Sequence, residues 1–521
     1  MRKAVWPDRL YRFLLVPEIL YLIFSCFIGI LIRCVYYGCR LPESAATMTG
    51  QGVADRESLM TKIEQYFHTM QTKHVAFIGT GVSHNDLITL FLNKGIRVTI
   101  CDRKTAEQMG ETYAKFRDMG AEFDLGDGYL DHLTNYDVVF RTPGMYFNNP
   151  ALTAARKQGV VITSEMETFF DLCPCRIYGV TGSDGKTTTT TLIAEMLAKT
   201  GRRVFKGGNI GKALLPLIET IREEDAAVVE LSSFQLISMR RSPDVAVITN
   251  ISPNHLDVHG TMEEYISCKV NLIAHQNAYS RTVLNLDNAG TAALAEQVRG
   301  NLLWFTRQQK PERGTFLDEE GWLCYGESGK IQRIVRAEDI RIPGLHNVEN
   351  YLAAIAAVWG EVPADTIVEV AKNFGGVEHR IEFVRELDGV KWYNDSIATS
   401  PTRVLAGLRS FNQRLIVIAG GYDKKIPFEP MAETVNQRVK ILILMGVTAP
   451  KIEKAITEDS SYDPAKLQIV HAVSMEEAVQ KAKELAQPGD IVTLSPACAS
   501  FDLYPNFEAR GQHFKTLVKE L

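Results

Sequence analysis

Residues 181–188 read Thr-Gly-Ser-Asp-Gly-Lys-Thr-Thr, behind the apolar run Arg176–Val180 and ahead of a helical stretch. In a strand–loop–helix setting, glycines let backbone N–H groups close on an anion, a lysine adds a point charge, and a hydroxyl reaches Mg²⁺. The chemistry is phosphate binding. Lys186 is expected at the β and γ phosphates, and Thr187 or Thr188 at the metal. The spacing is not the strict Walker form: Val180 stands where the first glycine would be, and Gly182 supplies the flexibility instead.

Other chemistry-bearing residues follow in order. Glu230 closes the apolar run 226–229, where a carboxylate at a strand end beside the loop could hold Mg²⁺. His255, Asp257 and His259 cluster in "NISPNHLDVHG"; such ligands suit Mg²⁺ or Mn²⁺, although histidine is the unusual choice for Mg²⁺. Lys269 lies ten residues beyond His259 and by itself reads as a surface lysine. Asn347 and Asn350 in "HNVEN" could touch a base or cap a helix. Arg380 and Asp395, near the start of a third region, could close over a nucleotide from another domain. "SPACASFDLYPNFEARG" gathers small residues, Ser500 and aromatics at a helix entrance, which suits a small polar substrate or a tightly packed turn. A bound phosphate could be hydrolysed for motion or switching, or transferred to activate a carboxylate.

These residues need rigid elements behind them. Apolar runs of strand length alternate with helical stretches along the chain, the pattern of α/β layers. "HVAFIG", "RVTICD" and "DVVFRTPG" are strands of a first domain, 60–170. "RIYGV", "AAVVELSS", "VAVITNIS" and "TVLNLD" belong to a second, 171–376, together with the helix "LHNVENYLAAIAAVW". "RLIVIAGG", "KILILMG" and "DIVTLSP" belong to a third, 377–521. The first strand turns through "GTGVSH", a dinucleotide fingerprint with His84 in place of its last glycine, and Asp102 ends the next strand. That turn could take NAD, take another nucleotide, or be merely structural.

The 521 residues are too many for one core. A net charge of −5 argues against a general nucleic-acid or anionic-membrane binder. The nine scattered cysteines form no disulfide framework and read as reduced thiols in a cytoplasmic setting. Residues 1–59 differ in character. Their apolar stretch 19–32 has 14 uncharged residues, short of the roughly 20 a spanning helix needs. An anchor, a cleaved signal and an extension outside the working protein are the readings, and the nucleotide-using body favours the last. Membrane contact is expected only if this segment acts as an anchor.

Taken together, Thr181–Thr188, Glu230–Gln235, His255, Lys269, His346-Asn347, His379-Arg380 and Asn394-Asp395-Ser396 resemble the Mur ligases in order and spacing. Ser495–Ser500, Asn506-Phe507-Glu508 and Arg510-Gly511 are similar to the family's D-glutamate-adding branch. The resemblance covers about 60–521. It implies three α/β domains: a Rossmann-like N-terminal domain, a P-loop central ATPase domain and a Rossmann-like C-terminal domain. It implies that ATP phosphorylates the carboxylate of UDP-N-acetylmuramoyl-L-alanine and that the amine of D-glutamate displaces the phosphate. A monomeric cytoplasmic enzyme is the expectation.

The resemblance also implies roles. Gly182, Ser183, Asp184, Gly185, Lys186, Thr187 and Thr188 would wrap the triphosphate, with Asn347, Asn350, Arg380 and Asp395 on the rest of ATP. Thr187 and Glu230 would hold a first Mg²⁺; His255 and Lys269 would serve a second. An ammonium cannot ligate a cation, so Lys269 is expected as a CO₂-derived carbamate. Lys186, Glu230, His255 and Lys269 form the implied catalytic set. Val82, Ser83, Asp102, Arg103, Gly144 and Asn209 would take the UDP-sugar, and Thr399, Lys424, Ser500 and Phe507 the D-glutamate.

One position departs from the pattern. The family often carries a lysine after Asn-Asp-Ser, and here Ile397 stands there; Arg403 or Lys425 could replace its charge. The Asp-Asn-Pro-Arg loop of the diaminopimelate- or lysine-adding relatives is absent, which argues against those enzymes. A sibling ligase, a P-loop regulator or transporter ATPase, and an NAD-dependent oxidoreductase are the rival readings. The His255 and Lys269 pair and the C-terminal motifs have no role in the second, and His84 in place of glycine and the phosphate loop speak against the third.

Overall fold

The computed structural model describes residues 60–521 apart from 254 and 255, and leaves the side chains of 256 and 257 undescribed. The apolar segment 19–32 and the proposed ligand His255 therefore lie outside the described residues. The chain divides into two units, Met1–Met60 and Thr61–Leu521. The second carries three sheets.

The first sheet is parallel, built from β1 (His74–Ile78), β2 (Arg97–Asp102), β3 (Glu122–Leu125), β4 (Val138–Phe140) and β5 (Val161–Thr163) in the order β3-β2-β1-β4-β5. The order reverses beside β1, so the crevice at its carboxyl end opens at residues 79–84.

The second sheet holds β6 (Arg176–Thr181), β7 (Val204–Gly208), β8 (Ala226–Glu230), β9 (Val245–Ile248), β10 (Arg281–Asn285), β11 (Asn301–Thr306), β12 (Arg313–Leu317), β13 (Trp322–Glu327) and β14 (Lys330–Arg336). Their order is β14-β13-β12-β11-β10-β9-β6-β8-β7. β6 is central, between β8 and β9, and is fully buried from Ile177 to Thr181. Burial on both faces suits its near-continuous apolar sequence. Gly179 matters here, because a Cβ on it would lie 2.7 Å from Pro243 Cγ and 3.1 Å from Leu272 Cδ1. Its bare backbone lets helix Met262–Ala274 approach β6, and that helix carries Lys269. On the opposite face, helices Lys186–Ala198 and Leu345–Val358 share one core through Leu192, Ile193 and Met196 with Tyr351, Leu352 and Ile355.

The third sheet comprises β15 (Glu382–Leu387), β16 (Val390–Asn394), β17 (Leu415–Ala419), β18 (Val439–Leu444), β19 (Gln468–His471) and β20 (Ile491–Leu494), ordered β15-β16-β20-β17-β18-β19. Only β15 runs antiparallel, at one edge. The cysteines among the described residues are free thiols, with Cys173 and Cys175 Sγ 3.5 Å apart just ahead of β6. Among the described residues no helix is long and apolar enough to cross a membrane.

Candidate active site

β6 delivers the chain into a tight loop. Gly182 has φ +152°, and a Cβ on it would stand 1.9 Å from Thr249 Oγ1. Glycine alone allows the loop to lie against the end of β9. Asn250 Oδ1 accepts the N–H groups of Ser183 (3.1 Å) and Asp184 (2.9 Å) and pins the turn. Gly185, left-handed at φ +77°, caps the N-terminus of the 13-residue helix Lys186–Ala198. The helix's first N–H groups and its positive dipole end meet at the loop, the physical basis of an anion site.

Two lysines converge there. Lys186 Nζ donates to the carbonyls of Gly182 (3.0 Å) and Ser183 (2.9 Å). Lys269 Nζ donates to Gly182 O (2.9 Å) and Thr181 Oγ1 (3.3 Å), and its residue is 1% exposed. Burial, reinforced by the neighbouring Lys186, lowers the Lys269 ammonium to about 7. Burial also lowers Lys186, against the pull of Glu230 and Asp184. The sequence alone gives Lys269 an exposed position; the close approach of its helix to Gly179 buries it.

Glu230 ends β8 beside the loop. Its Oε1 accepts Asn209 Nδ2 at 2.8 Å, whereas its buried Oε2 has no hydrogen-bond partner among the described residues. An orphaned carboxylate oxygen next to a phosphate loop fits an oxygen-seeking divalent cation. Lys269 as an ammonium does not fit such an ion. His259 shares a hydrogen bond with Ser233 Oγ (2.8 Å) and stacks on Phe234 at 5.0 Å. It packs in the interior behind the loop.

These groups border a cavity of about 1010 Å³, lined on the central-domain side by 182–188, Asn209, Glu230, Lys269, Asn347 and Asn350. Asn350 Nδ2 donates to Asn347 Oδ1 (3.1 Å), and Thr189 Oγ1 donates to Asn350 Oδ1 (3.2 Å). The C-terminal domain supplies the facing wall with Arg380, Asp395, Ile397 and Arg403. Arg380 sits between His379 and Ile381, both at positive φ (62° and 43°), a strained backbone that aims one side chain. Asp395 accepts from Ser495 Oγ (3.0 Å) and Ile381 N–H (3.3 Å), and burial pushes its carboxyl up to about 7.

A second cavity of about 330 Å³ is lined by Val82, Ser83, His84, Arg141 and Asn209 among others. Asn209 thus borders both. Asp102 and Arg103, at the end of β2, and Gly144 line neither; Asp102 Oδ1 accepts Lys104 N–H at 2.9 Å. Arg141, 1% exposed, ties the first domain to the segment after Glu230 by donating to Phe234 O (3.1 Å) and Ser238 Oγ (2.6 Å). It escaped sequence reasoning. Its one signal is a charge at the end of an apolar strand.

The remaining implied residues gather at the carboxyl ends of the third sheet. Lys424 Nζ donates to Thr399 O (3.4 Å), Ser396 Oγ donates to Phe507 O (2.8 Å), and Ser500 is buried. None of Thr399, Lys424, Ser500 and Phe507 lines the large cavity, although Ile397 and Ala398 do.

With this geometry in hand, the family can be decided. Residues 180–358 match the Mur ligase middle domain, and 379–498 match the Mur ligase glutamate ligase domain. The UDP-N-acetylmuramoylalanine–D-glutamate ligase of Acetivibrio thermocellus is 49% identical over 463 residues, covering 88% of this chain and 99% of that protein. The enzyme of the same name from Clostridium acetobutylicum is 47% identical over 458 residues, covering 88% and 98%.

The chain belongs to the Mur ligases.

Solved Mur ligases share the fold at low identity. The UDP-N-acetylmuramate–alanine ligase of Thermotoga maritima superposes with a TM-score of 0.51 at 17% identity, covering 86% of this chain and 99% of that one. The MurF ligase of the same organism, in complex with ADP, gives 0.50 at 18%, covering 87% and 99%. The three α/β layers here are therefore Mur ligase layers, and the phosphate loop lies inside the matched Mur ligase middle domain.

Proposed function

We infer that this protein is an ATP-dependent ligase that joins D-glutamate to UDP-N-acetylmuramoyl-L-alanine, with ADP and phosphate as the other products. The 49% identity across nearly the whole of a relative of that name supports the reaction. The observation that carries the mechanism is the phosphate loop with Lys186 and Lys269 on one carbonyl and Glu230 alongside.

A carboxylate resists attack by an amine because oxide is a poor leaving group. The substrate carboxylate oxygen attacks the γ-phosphorus of ATP, the bond to ADP breaks, and an acyl phosphate forms. The amine of D-glutamate then attacks the acyl carbon, phosphate departs, and the amine loses a proton. The loop amides of 182–188 and the Lys186 ammonium hold the phosphates and neutralise charge as it moves. Asn347, Asn350, Arg380 and Asp395 fix the rest of ATP across the cleft, so the two domains act on one nucleotide. Thr187 and Glu230 would hold a first Mg²⁺, and His255 with a Lys269 carbamate a second; bound there, the metal supplies Lewis-acid charge neutralisation. A lowered Lys269 supports the carbamate, because only the neutral amine adds CO₂.

Val82, Ser83 and Asn209 border the smaller cavity and would seat the UDP-sugar; Asp102, Arg103 and Gly144, which line neither cavity, would contact it beyond that seat. Thr399, Lys424, Ser500 and Phe507 would receive D-glutamate. The net charge of −5 supports small-molecule substrates and no nucleic acid. We place the enzyme in the cytoplasm as a monomer.

The test is ADP release by protein begun at Met60, supplied with Mg²⁺, ATP and UDP-N-acetylmuramoyl-L-alanine, with D-glutamate, L-glutamate, L-alanine, L-lysine or diaminopimelate. Release that requires both the UDP-sugar and D-glutamate is expected. Release with another amino acid moves the protein to a sibling activity, and release from the full chain alone makes residues 1–59 part of the catalyst.

A further inference from the structure

Four cationic side chains line the large cavity: Lys186, Lys269, Arg380 and Arg403. Arg403, one of two residues that could replace the charge missing at Ile397, has no assigned contact in the ligase scheme. It stands in the first turn of helix Pro401–Arg409, on the C-terminal domain, and is exposed into the cleft. Among the described residues its Nη1 donates only to the carbonyl of Ile397, at 3.3 Å, and no carboxylate pairs with it. Ile397 lines the same wall and brings no charge.

The placement spans the cleft. Arg403's charge disfavours protonation of Lys186 on the phosphate loop and of Arg380 on its own domain, and it favours the ionised form of Asp395. Four cations facing one space make a positive wall that a polyanion bound between them would neutralise. The helix behind it keeps that space open. Ala406, Gly407 and Ser410 line the cavity, and a Cβ at 407 would stand 2.8 Å from Asp395 Oδ2.

We propose that Arg403 is a further catalytic residue, contacting the phosphoryl group as it passes from ATP to the substrate carboxylate. It rests on the ligase reading above. A planar guanidinium can bridge two of the phosphoryl oxygens, and because it comes from the C-terminal domain its contact is completed when the cleft closes. It stabilises the transfer itself rather than the later attack by the amine.

The test uses the full chain and two partial reactions. Scrambling of isotope within [β,γ-¹⁸O]ATP, with UDP-N-acetylmuramoyl-L-alanine and no D-glutamate, reads acyl-phosphate formation alone. Binding of the UDP-sugar by calorimetry reports that a variant is folded. For Arg403→Gln, scrambling and kcat both fall by on the order of 100-fold with UDP-sugar affinity unchanged. Arg403→Lys retains more of both, and Ile397→Lys placed in the Arg403→Gln background recovers part of the loss, which a structural role for Arg403 would not allow. Scrambling within about threefold of the parent overturns the proposal, as does unchanged scrambling with a raised KM for D-glutamate, which would make Arg403 an amino-acid contact. If the parent itself shows no D-glutamate-dependent ADP release, the ligase reading fails instead.

Discussion

Lys186 and Lys269 reach the same acceptor: both ammonium groups donate to the carbonyl oxygen of Gly182, at 3.0 and 2.9 Å. Two ammonium charges beside one carbonyl repel each other, which favours the neutral form of the more buried one. Lys269, buried and lowered to about 7, is the one that gives way. Above that pH it is largely a neutral amine, the form that adds CO₂; below it, an ammonium. Activity therefore falls as pH drops through about 7, and added bicarbonate offsets part of the fall. Under ¹³C-bicarbonate a carbamate resonance appears in the parent and is missing in Lys269→Met, whose activity drops by about 100-fold or more. Full activity in that variant would remove Lys269 from the chemistry.

Gly182→Ala asks for a Cβ at a φ of +152° and 1.9 Å from Thr249 Oγ1. The loop must shift, and the amides that Asn250 holds in place shift with it. The expected result is a loss of ATP affinity exceeding tenfold and a stability cost of about 1–3 kcal/mol. UDP-sugar binding, measured by titration calorimetry, persists because the first sheet is untouched.

Asn209→Ala strips Glu230 of the donor on Oε1 and leaves a buried carboxylate with no hydrogen bond to either oxygen among the described residues. The carboxylate is then free to turn away from the loop. Half-maximal activity should need severalfold more Mg²⁺, and the KM for the UDP-sugar should rise too, since Asn209 borders both cavities. A Mg²⁺ titration with an unchanged midpoint would separate Asn209 from the metal seat.

Asp395 makes stability depend on pH. Its carboxyl is raised from 3.8 to about 7. Between those values the folded protein holds a proton that the unfolded chain has released, so this group's contribution to stability declines as pH rises through the window. Above about 7 the penalty is complete. Asp395→Asn removes it: the variant melts higher than the parent by about 2 °C or more at pH 8, with the gap closing toward pH 4. The same variant loses activity, because the charge at the nucleotide wall is gone. A gap that widened on acidification would contradict this account.

Much of the fold is legible in the sequence, because buried parallel strands such as 226–229 and 245–248 read as uninterrupted apolar runs. The antiparallel strands β12–β14 were not legible, since half-exposed strands such as "KIQRIVR" look like loop by composition. At the site, local motifs announce themselves: Lys186 through its glycines and Glu230 through its place at a strand end. What hides is whatever depends on packing between elements. The burial of Lys269 comes from Gly179, ninety positions earlier in the chain, and Arg141 gains significance only from a neighbouring domain.

One apolar cluster joins Phe77, Phe140 and Phe169 of the first domain to Leu236, Leu272 and Leu284 of the second, while the clusters on both faces of the third sheet draw only on residues beyond 380. Cooperative melting follows shared cores. Heating should thus give two calorimetric transitions rather than three: residues 61–376 come apart as one body and the C-terminal domain as another. On the ligase reading the nucleotide would straddle the seam between these bodies and the UDP-sugar would sit within one of them, so ATP should draw the two transitions together and the UDP-sugar should raise only that body's transition.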